Sequence, residues 1–207
     1  MKIKVRNRIL KIPLLTIILA GTCLVLFYNV PLTEMAVYDR KLIMSGEIWR
    51  LLTGNLVHFS IDHLVYNFII LLVAGYLVET RNAYILMLLT LAAALAIGLY
   101  LLAFAPEYGQ YGGMSGILSA YLVYFSGEKI ISTRWTAWPW MVLLLLFFIK
   151  IAFELSNGTP FFVSDGDFRV ASSVHIIGGL VGLLFIAFSF KMRSYLCRML
   201  EGRMRVL

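Results

Sequence analysis

The chain has 207 residues, 61% of them hydrophobic and 14% charged, with a net charge of +7 and a mean hydropathy of +0.87. A soluble domain carries about 25% charged residues, so this composition excludes an ordinary soluble domain and points to a chain dissolved in lipid. A nucleic-acid partner is excluded as well. The basic excess sits in two end clusters, Lys2 to Lys11 and Lys191 to Arg205, flanking apolar segments, and not on a basic face interleaved with aromatics.

A bilayer core about 30 Å thick takes about 20 helical residues to cross, which leaves room for six or seven spans and no separate soluble domain. Six apolar segments occur at 12–30, 56–78, 83–104, 115–125, 137–155 and 172–190. The expected fold is therefore all-α, a single membrane domain over 1–207 built as a six-transmembrane-helix bundle. Its flanks are a basic tail over 1–11, an outer interfacial loop over 31–54 and a second basic tail over 191–207.

The first segment carries Leu19-Ala20-Gly21-Thr22-Cys23, a faint lipoprotein-like stretch. Thr22 stands where a small residue should precede the cysteine, so an uncleaved first span is expected. Cys23 and Cys197 suggest neither a disulfide nor a metal site. Basic clusters mark cytoplasmic ends, which places both termini inside. The inner loops then hold Arg81, Lys129 and Arg134, whereas the outer loops hold most of the acids, Asp165 and Asp167 among them. The segment 31–54 is too polar to span and too rich in Leu, Ile, Met and Trp for a plain linker. It is expected to lie partly in the membrane interface, with Trp49 at headgroup level.

His58, His63, Asn67, Ser115 and His175 lie in or at the edge of apolar segments, where polar groups are costly and usually functional. Asn67 lies 12 residues before Glu79, Ser115 13 before Glu128 and His175 16 before Lys191. At 1.5 Å per residue these separations are about 18, 20 and 24 Å. If each later charge marks the inner boundary, all three groups share a layer about 6 to 12 Å below the outer face. The fourth segment is too short to cross alone, so the Gly- and Tyr-rich loop 104–114 is expected to dip into the bundle, which requires protein or a water-filled cavity around it.

Gly112-Gly113-Met114-Ser115-Gly116 puts Ser115 at a loop-to-helix junction, beside unpaired N–H groups that favour developing negative charge. Read alone, such a serine is more often a helix cap. His175 shares a helical face with Gly178, Gly179 and Gly182, and glycines there allow close approach of a second helix. Gly116, Ser119 and Ala120 offer the matching small face, which would carry His175 to Ser115 as a general base. His63 and Asn67, four residues apart, can both donate and with the Ser115 N–H could cradle an oxyanion. His58, five residues earlier, is expected to face away and to bond to the outer loop. A three-histidine metal site lacks a fourth ligand, so no metal and no cofactor is expected. Lys150, four residues before Glu154, is expected to form a snorkelling i,i+4 pair near the outer end. With no buried acid near His175, a Ser–His dyad is the economical reading.

The set Trp49-Arg50, His58, His63, Asn67, Gly113-x-Ser115-Gly116 and His175-x-x-Gly178-x-x-x-Gly182 resembles the rhomboid family of intramembrane serine proteases, from about residue 47 to 190. The resemblance implies Ser115 as nucleophile, His175 as general base, and an oxyanion hole of His63, Asn67 and the Ser115 N–H. It also implies that Trp49 and Arg50 shape the outer loop. Substrates would be transmembrane segments of other proteins, cut in or near their outer end, with the site opening to the outer side of a bacterial inner membrane. Two departures stand out. Val174 replaces the usual alanine, and Ser119 replaces a tyrosine that packs on the histidine, leaving open how His175 is held. The compact form is similar to that of the rhombosortases, which process C-terminal Gly-Gly sorting tails. Two rival readings remain, a non-catalytic rhomboid-like adaptor that binds membrane helices and a small transporter. The latter predicts related halves, and no internal repeat is seen. The oligomeric state is not legible.

Overall fold

The computed structural model describes residues 12–157 and 172–204, and their side chains except at 134 and 192–204. The basic tail 1–11 and the acids Asp165 and Asp167 thus lie outside the described residues, as does the second tail from 192 onward, wholly or in its side chains, Cys197 included.

α1 (Leu14–Tyr28) and α2 (Val30–Ala36) meet at a bend of 113°. Asn29 makes that bend. Its side chain accepts a hydrogen bond from the Leu32 N–H at 3.1 Å, and Pro31 occupies the first turn of α2, where a missing N–H is harmless. The outer loop then runs through β1 (Tyr38–Asp39), α3 (Arg40–Met44), α4 (Arg50–Thr53) and a 3₁₀ turn, Gly54–Leu56. Arg50, 4% exposed, ties the loop together. Its guanidinium bonds to the Glu47 carboxylate at 2.7 Å and to the Glu34 and Val37 carbonyls at 2.7 and 2.8 Å. Trp49 is half exposed and donates to the Met35 carbonyl at 3.2 Å.

The second long helix combines α5 (Ile61–Ile70), a π turn (Leu71–Gly75) and α6 (Tyr76–Glu79). Glu79 is buried and accepts from the Leu15 and Thr16 N–H groups at 2.8 Å each and from the Thr16 hydroxyl at 2.7 Å. Its carboxylate caps the orphan donors of α1 and fixes the end of this helix beside the start of the first. α7 (Ala83–Phe104) follows, capped by the Asn82 side chain, and packs against α4, where a Cβ at Gly98 would lie 2.5 Å from the Leu51 carbonyl. β2 (Gln110–Tyr111) pairs antiparallel with β1. The all-α expectation thus holds apart from this two-residue ladder, which binds the loop before α8 to the outer loop.

α8 (Ser115–Thr133) has 19 residues, about 28 Å of helix. The expectation of a short fourth segment is therefore corrected. The polar half, with Ser126 and Glu128, continues the helix, because both side chains are buried in protein and do not face lipid. The loop before it does pack inward, with Ala105, Tyr111 and Met114 buried. α9 (Trp138–Asn157) and α10 (Ser172–Met204) complete the bundle, and α10 continues well beyond the apolar segment drawn at 172–190. Among the described residues, four helices are long and apolar enough to cross a membrane, five if the bent α1–α2 pair is one span. α8 fails that test because it is the central helix, sheltered by its neighbours.

Candidate active site

A cavity of about 360 Å³ opens between α5, α8, α9 and α10. Its polar lining is Tyr66, Asn67, Ser115, Ser119, Lys150 and His175, and the rest is leucine, isoleucine and phenylalanine. Residues from four segments remote in sequence thus meet in one apolar chamber.

Ser115 is the first residue of α8, so Met114 stands at the cap position and its carbonyl takes the first helical bond, from the Leu118 N–H at 3.0 Å. The serine is therefore not acting as the helix cap. Gly113 turns the chain into the helix with φ of 145°, and a Cβ there would lie 2.7 Å from the His63 ring. Only glycine combines that backbone with that contact.

α8 and α10 touch backbone to backbone. A Cβ at Gly182 would lie 2.7 Å from the Ala120 carbonyl, and one at Gly116 would lie 3.0 Å from the Val174 carbonyl. Val174 is 1% exposed and fills this seam. The contact carries His175, 4% exposed, into the cavity that Ser115 lines. Ser119 answers how the ring is held without a tyrosine. Its hydroxyl donates to the Ser115 carbonyl at 2.8 Å and lies 3.3 Å from His175 Nδ1. Having given away its hydrogen, it must accept from Nδ1–H, which assigns the basic lone pair to Nε2.

Nε2 is met by Lys150 Nζ at 3.2 Å, and the Ser115 hydroxyl makes no hydrogen bond among the described residues. Catalytic hydrogen bonds are often loose without substrate and tighten in the complex. Lys150 also bonds to Glu154 at 2.9 and 3.0 Å. The expected i,i+4 pair forms, but it points inward and does not snorkel. The expectation that no buried acid stands near His175 is corrected too, since Glu154 is buried with an oxygen 3.6 Å from Nε2. Contacts between α9 and α10 leave no mark in either helix's own spacing. The only signal was two charges in an apolar helix.

His58 does not face away. Residue 58 precedes the helix, which begins at Ile61, so helical rotation says nothing about it. It is buried, with Nδ1 3.1 Å from the Leu56 carbonyl and Nε2 3.1 Å from Asn67 Nδ2. A carbonyl only accepts, so Nδ1 carries the proton and Asn67 donates to Nε2. One Asn67 N–H remains. His63 packs against His58, with ring centroids 5.1 Å apart, and over Gly113, outside the cavity lining. Among the described residues no group of three or more His, Cys, Asp or Glu is placed to hold a metal.

The rhomboid domain model matches residues 45–192. The chain belongs to the rhomboid family, and with its several apolar helices it is an integral membrane protein. It is 28% identical over 152 residues to the rhomboid protease GluP of Bacillus subtilis (strain 168), an alignment covering 72% of this chain and 27% of that protein. This rhomboid chain thus spans about a quarter of that relative's length. The domain match at 45–192 runs from the outer loop holding Trp49 and Arg50 into α10, taking in each polar group of the cavity.

Proposed function

We propose that this rhomboid chain is an intramembrane serine endopeptidase, with Ser115 as nucleophile and His175 as general base. The observation that carries the reading is the α8–α10 backbone contact, which sets both residues on one cavity with a few polar groups in an apolar wall. Ser115 Oγ attacks the scissile carbonyl carbon while its proton passes to His175 Nε2. The tetrahedral oxyanion is stabilised by donors at its edge, for which the Ser115 N–H, Asn67 and His63 are the candidates. The imidazolium then returns the proton to the leaving amine, and water repeats the sequence on the acyl-enzyme.

Substrates in this reading are transmembrane segments of other proteins, cut in or near the outer end. An intact helix hides its carbonyls in i→i+4 bonds, so such segments need Gly, Pro or polar residues that let them unwind. The proposed address is a bacterial inner membrane, with one membrane domain, both termini cytoplasmic and the cavity open to the outer side. Processing of C-terminal Gly-Gly tails, as in rhombosortases, is the finer version.

The test is cleavage of a reporter carrying such a segment, co-reconstituted in vesicles with wild type or Ser115→Ala. Wild type is expected to cut and the variant not to. Equal cleavage by both contradicts the mechanism, and cross-linking to the reporter without cleavage by either favours the helix-binding adaptor.

A further inference from the structure

Lys150 and Glu154 are one turn apart on α9, with side chains 19% and 3% exposed. Lys150 is the charged side chain of the cavity lining, which it shares with His175, Ser115 and Ser119. An ammonium has three hydrogens and no lone pair. Two of them face the Glu154 oxygens at 2.9 and 3.0 Å, and the third reaches His175 Nε2 at 3.2 Å. The lone pair that must take the Ser115 proton is thus already occupied. A ring protonated at Nε2 would face the ammonium with no lone pair to offer and as a second cation. It would, however, also find Glu154 Oε2, 3.6 Å away in this arrangement.

We propose that Lys150 and Glu154 are a positioning pair for His175, in which Lys150 caps Nε2 at rest and Glu154 stabilises the imidazolium once Lys150 has moved off. This rests on the reading of His175 as general base. The flexible four-carbon stem of lysine permits the motion, and the cavity it borders provides the room. When Ser115 Oγ bonds to the carbonyl carbon, its O–H bond breaks and the proton goes to Nε2. The Lys150 N–H···Nε2 contact is lost without proton transfer, and the ammonium stays charged. The pair therefore does the work that a triad's acid does from the other ring nitrogen, a place here taken by Ser119. Other groups facing the ring are Ser115 and Ser119 from α8, with His63 from α5 in its electrostatic surroundings and Tyr66 on the same cavity wall.

The experiment is the rate of labelling by a fluorophosphonate probe as a function of pH, on the detergent-solubilised full chain. Wild type, Lys150→Met, Glu154→Gln and Glu154→Asp are compared, with Ser115→Ala as blank. Lys150→Met removes a cation from the ring and leaves the anion, so the acid limb should move to higher pH by about one unit or more. Glu154→Gln leaves the cation uncompensated, so its limb should move to lower pH, and Glu154→Asp should stay near wild type. Opposed shifts support the pair. A merely structural pair would lower the labelled fraction in both variants and leave both limbs in place, which overturns the proposal. If Glu154→Gln does not fold by circular dichroism, Lys150→Met decides alone, and a limb at the wild-type position is then the contradicting result. Labelling that survives in Ser115→Ala removes the underlying reading instead, a result separate from unmoved limbs.

Discussion

Gly178 lies against the carbonyl of Gly116 so closely that a Cβ built on it would stand 1.8 Å from that oxygen. Neither backbone can yield without separating α8 from α10, and the seam between those helices is what brings His175 to the cavity of Ser115. Gly178→Ala should therefore lower stability by about 1–3 kcal/mol through overpacking and cut serine labelling more than its loss of folded protein explains. Thermal melting in detergent, run beside labelling at a temperature where the variant is folded, separates the two effects.

Ser119 holds Nδ1 of His175 through a hydroxyl already committed to the Ser115 carbonyl. Ser119→Ala removes both hydrogen bonds of this hydroxyl, of which the one to Nδ1 is worth about 1 kcal/mol, and frees the ring to turn. Labelling should slow by about fivefold or more, with circular dichroism unchanged. Wild-type labelling in this variant would show that packing alone orients the ring.

Asn67 is aimed by His58, which takes one of its two amide hydrogens. Asn67→Ala should lower kcat by about a hundredfold or more if its other hydrogen meets the oxyanion, with KM little changed. His58→Ala, which frees Asn67 but removes no donor, should cost less. Steady-state cleavage kinetics of both variants order them, and a larger loss in His58→Ala would contradict the assignment.

Glu79 caps the start of α1 far from the chemistry. Glu79→Ala strips its partners from two backbone N–H groups and a hydroxyl, and should cost about 0.5–2 kcal/mol of stability, the range of a lost helix cap. Thermal inactivation should come earlier while the labelling rate of the folded fraction stays at wild type.

Much of this architecture was legible from spacing along single helices. The glycine stripe after His175, the glycine turn before Ser115 and the meeting of Asn67, Ser115 and His175 on one cavity follow from local spacing or simple counts of rise. What the spacing missed crosses between elements or leaves the helix. His58 was assigned a direction by a helix that has not yet begun at residue 58. The polar end of α8 looked too hydrophilic to span because its shelter comes from other helices. Lys150 and Glu154 were a correct pair with an incorrect destination, since only the packing of α9 against α10 shows His175 beside them.

The proposed chemistry turns on Ser115 as a nucleophile activated by His175. Its most direct test is fluorophosphonate labelling of the solubilised protein, with the modified residue located by peptide mass spectrometry, in wild type, Ser115→Ala and His175→Ala. A single adduct on Ser115 is expected in wild type and none in either variant. An adduct on Ser115 that forms at the wild-type rate in His175→Ala, or no adduct in a folded wild type, would contradict it.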